Sequence, residues 1–172
     1  VYATASGWVR EAGSALSGNN NTSATPELLV AISALSTNLG AADVTEVEWI
    51  TTAADKSAGF TLSIRVRYNE PVTVTGSPTL AVTNGNEGTS SGRGPHTLVY
   101  ASGTGTNELV FSLAIAAANA ATNADDVLTV AAQSILLPGG ATMKDTGDGT
   151  TNAAVAISAS AVASTGSITV VA

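Results

Sequence analysis

The residues best suited to chemistry in this chain are a single histidine and two pairs of aspartates. A Ser-His-Asp arrangement would need His96 as its general base. His96 follows Pro95 at the start of a predicted strand, beside the Gly/Ser-rich stretch TSSGRGP. We therefore expect His96 to be a solvated strand end and not a catalytic base.

The aspartate pairs are Asp125 with Asp126 and Asp145 with Asp148. Two carboxylates that flank a sugar can hydrolyse a glycoside, and Asp145, Asp148 and nearby carbonyls could supply some of the roughly six to eight oxygens that calcium takes. Both pairs lie in Gly-, Asn- and Thr-rich stretches, where carboxylates usually accept hydrogen bonds from turn backbone. We expect plain turns, with Asp145 and Asp148 as the metal candidates, no cofactor and no enzymatic activity.

The composition favours a surface of small neutral side chains. Hydrophobic residues make up 44% of the 172 residues, enough for a core, whereas charged residues make up 11%, against about 25% in ordinary soluble domains. The net charge of -7 repels the phosphates of nucleic acids and of anionic lipids, so neither nucleic acid nor membrane is an expected partner. The chain has no cysteine, which excludes disulfides and thiolate chemistry.

No apolar run approaches the roughly 20 residues of a membrane-spanning helix. The first residues, VYATASGWVREAG, lack the basic-then-apolar layout of a secretory signal. We expect either that a signal has been removed before Val1 or that the protein is not secreted.

Residues 1–25 are predicted to form an extended arm. They are rich in Gly, Ser, Thr and Asn, and their sizeable apolar residues are Tyr2, Trp8, Val9 and Leu16. A segment this polar cannot form a core of its own. It is therefore either disordered or ordered on another surface. We expect these four residues to bind a partner with Trp8 as the anchor; alternatively, Trp8 covers the end of its own domain.

The segment after the arm supports two interpretations. Thr25 as an N-cap, Pro26 at the first helical position and Gly40 as a stop frame a helix, and apolar residues recur at helical spacing within residues 28–39. Alternate residues from Leu28 to Ala34 are also apolar, which fits a strand. One short helix and a strand therefore both remain open for residues 28–39.

From residue 44 onward, apolar and polar residues alternate, which predicts β-strands. The clearest are VTEVEWI (residues 44–50) and FTLSIRVRY (residues 60–68), the second with its even-numbered residues on a core face. The opposite faces carry Glu46 and Glu48 on the first strand and Arg65 and Arg67 on the second. We expect an antiparallel pairing that sets these opposite charges side by side.

Further strands are predicted at the short spacing typical of β-sandwiches. They cover residues 72–74, 79–82, 97–101, 108–115, 127–130, 134–137, 155–158 and 167–171. Gly-, Asn- and Pro-rich turns separate them. The sequence therefore predicts a mostly β fold, an antiparallel β-sandwich over residues 26–172 that follows the arm of residues 1–25.

Three segments carry a family resemblance: YNEPVTVTGSPTLAVTNG (residues 68–85), LVYASGTGTNELVFSLAIAA (98–117) and GGATMKDTG (139–147). In this order they resemble the strand motifs of a bacterial Ig-like repeat found in large surface proteins and adhesins. The stretch NEGTSSGRGP (86–95) and the ending Asp145-Thr-Gly-Asp148 depart from the family pattern. The resemblance implies an Ig-like sandwich used for adhesion, spacing or display, and no chemistry.

Domains of this family are also similar to modules of tailed-phage virions, including capsid decoration proteins and fibres. A virion protein is assembled without export, which fits the absence of a signal. The resemblance implies a non-enzymatic capsid decoration or knob protein on the capsid exterior, with the major capsid protein, another shell protein or further copies of itself as partners. The alternative that it implies is a cell-surface adhesin or glycan-binding module of a longer secreted protein.

Overall fold

The computed structural model is mostly β, as the sequence predicts. It describes residues 2–4, 7–10, 23, 25–31, 40–85, 94–117 and 122–172. The chain divides into two units, residues 1–39 and residues 40–172, whereas the composition predicts a boundary after residue 25.

The first unit contains a small antiparallel sheet in the order β1 (Tyr2–Thr4), β2 (Gly7–Arg10) and β3 (Glu27–Ala31). The boundary predicted after residue 25 falls inside this unit because β3 pairs with β2. The strand interpretation of the segment holds over Glu27–Ala31, and residues 32–39 lie outside the described residues. No α-helix occurs in the residues that the structure describes.

The strands of the second unit follow the predicted spacing. They are β4 (Val44–Trp49), β5 (Ala54–Asp55), β6 (Phe60–Thr75), β7 (Thr79–Gly85), β8 (His96–Ser102), β9 (Thr106–Ile115), β10 (Val127–Thr129), β11 (Gln133–Ser134), β12 (Thr142–Asp145), β13 (Ala156–Ile157) and β14 (Ser167–Val171). A short 3-10 helix, Pro138–Gly140, precedes β12. The alternation pattern predicts no strand over β12, which lies inside the third family motif.

One curled sheet runs in the order β12-β6-β9-β8-β7-β10-β14-β5, with β4 also paired to β6. Its pairs are antiparallel except for β14 with β5, which are parallel. A separate pair, β11 with β13, lies outside this sheet. The curled sheet folds over an apolar core and gives the second unit a sandwich-like architecture.

The long strand β6 corrects one prediction. The sequence predicts separate strands over residues 60–68 and 72–74, but β6 runs from Phe60 to Thr75 without a break. Its pairing with β9 shifts register between Arg67 and Val72. An irregularity of this kind accommodates Pro71, which has no N–H to donate to a strand ladder.

The even-numbered face of β6 lies in the core, as predicted. Leu62, Ile64 and Val66 are fully buried, and Tyr68 is nearly so. The Tyr68 hydroxyl donates to the carbonyl of Ala154 at 2.9 Å, and burial raises the pKa of Tyr68. Strand β9 contributes the buried residues Leu109, Phe111 and Ile115 from the facing positions.

The predicted charge pairing on the outer face is confirmed. Glu46 lies opposite Arg67 and Glu48 opposite Arg65, and the shortest contact joins Arg67 Nη2 to Glu48 Oε2 at 3.2 Å. Glu108 on β9 contacts both arginines, each at 3.4 Å. The alternation pattern does not predict these two contacts. Each side chain is about a third exposed or more, so each pair contributes little to stability.

Replacing Phe111 by alanine tests the core. The ring is fully buried and packs edge-on against Tyr100 with centroids 6.0 Å apart. We expect the free energy of unfolding, measured by urea denaturation, to fall by about 3–5 kcal/mol, because the change loses burial and leaves a cavity. Ser112→Ala, at the next position on the opposite face, is the control and should change it by no more than about 0.5 kcal/mol. A loss below about 1 kcal/mol in Phe111→Ala would contradict this core.

Candidate partner-binding surface

Three of the four residues predicted to bind a partner, Tyr2, Trp8 and Val9, lie on the small sheet of the first unit. Trp8 in β2 pairs with Val30 in β3, and the two are 44% and 51% exposed. Val9 pairs with Leu28, but Val9 is buried whereas Leu28 is about half exposed. Trp8 is thus available for contact with a partner, whereas the side chain of Val9 is not.

The other two predicted residues are placed less completely. The backbone of Tyr2 pairs with Val9 in the register of β1 and β2. Leu16 lies outside the described residues. The described segments therefore bring Tyr2, Trp8 and Val9 onto neighbouring strands of one sheet.

An ion pair closes the charged end of β2 and β3. Arg10 and Glu27 are partners in the register, with 3.7 Å between Arg10 Nη1 and Glu27 Oε2. These two opposite charges offset each other. The other residues of β2 and β3 are uncharged. The sheet is suited to bind by apolar contact and backbone pairing rather than by charge.

Strand β3 adds exposed apolar residues to the candidate surface that the sequence patterns do not single out. All five of its residues are exposed, including Leu28, Leu29 and Val30. A strand with one buried face alternates apolar and polar residues, and the run Leu-Leu-Val does not. That missing alternation is the sequence signal that could have identified β3 as an exposed apolar strand.

The metal candidates Asp145 and Asp148 belong to one turn. Asp148 Oδ1 accepts the backbone N–H groups of Thr150 and Thr151, each at 2.8 Å, and Oδ2 accepts the Thr151 hydroxyl. Asp145 is buried, and its Oδ1 accepts the N–H of Gly147 at 2.6 Å. Both carboxylates hold the turn together, and across the described residues no cluster of three or more His, Cys, Asp or Glu side chains is arranged to hold a metal.

The other aspartate pair is split between two environments. Asp126 is buried, and its Oδ2 accepts the Asn84 side-chain amide at 2.9 Å and the Asn123 backbone N–H at 2.7 Å. Asp125 is exposed and has a positive φ of 69°. The Asp126 carboxylate therefore organises the turn that leads into β10.

His96 is buried, so the prediction of a solvated strand end is wrong. It opens β8 opposite Val82 of β7. Alternation along β8 puts His96 on the same face as Leu98, which is fully buried. The position of His96 follows from the pairing of β8 between two strands and not from its place beside Pro95.

Comparisons with protein-family models, with curated proteins and with solved structures found no significant match for this chain. Among the described segments, no helix has the length and apolar character needed to cross a membrane.

The Asp148 turn predicts an acid-sensitive contribution to folding. The Thr151 hydroxyl, with the backbone N–H groups of Thr151 and Thr150, lowers the pKa of Asp148 from its ordinary 3.8 to about 2. Because the folded-state pKa lies below the unfolded one, this stabilisation is present above pH 3.8 and is lost as the pH falls towards 2.

Carboxyl-detected NMR titration measures this effect directly. Thr151→Val removes the hydroxyl donor and should raise the pKa of Asp148 towards 3.8. Thr146→Val is the matched control, since the Thr146 hydroxyl bonds to that of Thr73 and should leave Asp148 unchanged. An Asp148 midpoint that does not move in Thr151→Val would contradict the assigned cause.

Proposed function

We propose that this chain is a non-enzymatic virion structural protein, a capsid decoration or knob protein displayed on the outer surface of a phage particle. The observation that carries the proposal is the contrast between its two units. Trp8, Leu28 and Val30 expose apolar surface on the small sheet of residues 1–39. Residues 40–172 form a sandwich-like unit, and in the described residues its core members all come from Ala42 onward.

The sandwich-like unit supports a role in display. The outer face of β4, β6 and β9 carries glutamates and arginines that pair with one another. Charged residues make up only 11% of the chain. Such a face offers little net charge for recruiting a charged ligand. We assign the unit to the Ig-like class because the three family motifs coincide with β6–β7, β8–β9 and β12.

The small sheet supports a role in attachment. Interfaces are enriched in aromatic residues at their buried centre, and a few such residues dominate the binding energy. Trp8 has this character, and the exposed side chains of β3 extend the same apolar surface. The proposed partner is the major capsid protein or another shell protein, together with further copies of this chain.

The alternative is a cell-surface adhesin or glycan-binding module of a longer secreted protein. The observation that favours it is the order of the three motifs, which resembles that of adhesin repeats. The two proposals place the chain in different material. Quantitative mass spectrometry of purified virions and of cell envelopes should find it as a stoichiometric component of virions; enrichment in envelopes alone would support the adhesin.

Trp8→Ser should weaken retention of the full-length protein on purified shells by at least about tenfold, because truncating a central interface aromatic typically costs about 2 kcal/mol or more. The measurement is co-sedimentation over a range of protein concentrations. Ile50→Ser is the matched control, an exposed apolar residue of the second unit, and should bind like the wild type. Equal loss in both variants, or none in Trp8→Ser, would contradict attachment through the small sheet.

A further inference from the structure

The strand β3 is exposed along its whole length and on both faces. Its residues alternate between the faces of the sheet, yet all five are exposed, including Leu28 at 49% and Leu29 at 38%. It is also the last strand of its sheet, and no strand among the described residues pairs with its outer edge. Two apolar faces and an open edge therefore coincide in one segment.

Two edge strands of the second unit, β4 and β12, are by contrast bonded along their outer sides. The segment after β13 lies along β4, where Val47 N–H donates to the Ala161 carbonyl at 2.9 Å and the Thr165 hydroxyl donates to the Val47 carbonyl at 2.7 Å. Beside β12, the N–H of Asp145 donates to the Thr151 carbonyl at 2.9 Å. Open strand edges are the usual sites of pairing between chains, and in the described residues β3 provides one with large apolar side chains.

The distribution of charge favours a second copy as the occupant. Residues 1–39 contain one basic and two acidic residues, whereas residues 40–172 contain five basic and eleven acidic ones. Two copies that meet through the second unit bring like charges together, and two that meet through β3 do not. The described charges of the small sheet, Arg10 and Glu27, already pair within it.

The size of the sheet points to the same occupant. The small sheet has three short strands of three, four and five residues, and β3 exposes apolar side chains on both of its faces, so the sheet gains little stability from them within one copy. They need cover before the protein reaches any shell. A second copy is present wherever the chain is made, and it carries the same exposed strand.

We propose that two copies of this chain associate by antiparallel pairing of β3 with β3, which joins the two small sheets into one. This inference rests on the proposed function in one respect: both assign a partner to the apolar surface of the small sheet, and here that partner is a second copy. We place the centre of this pairing at Leu29. Leu29 has no opposite residue in β2, because the register passes from Leu28–Val9 to Val30–Trp8. A two-fold axis at Leu29 sets Leu28 of each copy opposite Val30 of the other and keeps the two Glu27 side chains apart.

Light scattering after gel filtration of the full chain, without any shell protein, tests the association. The wild type should have twice the monomer mass of 16.9 kDa at roughly 100 µM, well above a micromolar Kd. Leu29→Glu should give the monomer mass, because the axis would place two carboxylates together. Leu136→Glu, the same change at a more exposed residue of the second unit, should stay dimeric.

Mixing Leu29→Glu with Leu29→Lys separates loss of contact from loss of folding. Opposite charges at the axis should restore the dimer, whereas a misfolded sheet would stay monomeric in the mixture. Because the chain has no cysteine, Leu29→Cys should also give a disulfide-linked dimer on oxidation, and Leu136→Cys should not.

A monomeric wild type would overturn the inference, as would a dimer that Leu29→Glu leaves intact or a mixture that fails to recover. A trimer would overturn the two-fold pairing. These outcomes are independent of the proposed function, since a monomer can still be found in virions, and a dimer can form in a protein that virions lack.

Discussion

The alternation of β6 is the constraint on which the rest of the sandwich-like unit depends. Strands β4 and β12 pair with different parts of it, and β9 pairs along its other side. A slip of one residue would turn Leu62, Ile64 and Val66 to solvent and Arg65 and Arg67 into the core. The outer charges also disfavour that slip, although each ion pair contributes little to stability.

Patterns within single strands made much of this unit predictable. The even-numbered face of β6 and the pairing of Glu46 and Glu48 with Arg65 and Arg67 follow from a period of two and from complementary charges. The position of Glu108 and the burial of His96 do not, because both depend on which distant strands become neighbours. The continuous path of β6 through Pro71 depends likewise on a register shift against β9.

The candidate partner-binding surface on the small sheet was predictable in part. Trp8 is a large aromatic residue in a polar stretch, and that contrast alone identified it. The segment that begins at Leu28 satisfies both the helical and the strand period, so its own pattern could not decide between them. Pairing with β2, from which it is separated by many residues, decides in favour of a strand over Glu27–Ala31.

The proposed function assigns attachment and display to different units of one chain. In the described residues, the hydrophobic core cluster of the second unit draws all its members from Ala42 onward. Eleven of the thirteen acidic residues lie in residues 40–172, and in the proposed function their like charges oppose contact between the second units of neighbouring copies. The first unit has one basic and two acidic residues. Covering its apolar surface therefore brings few like charges together.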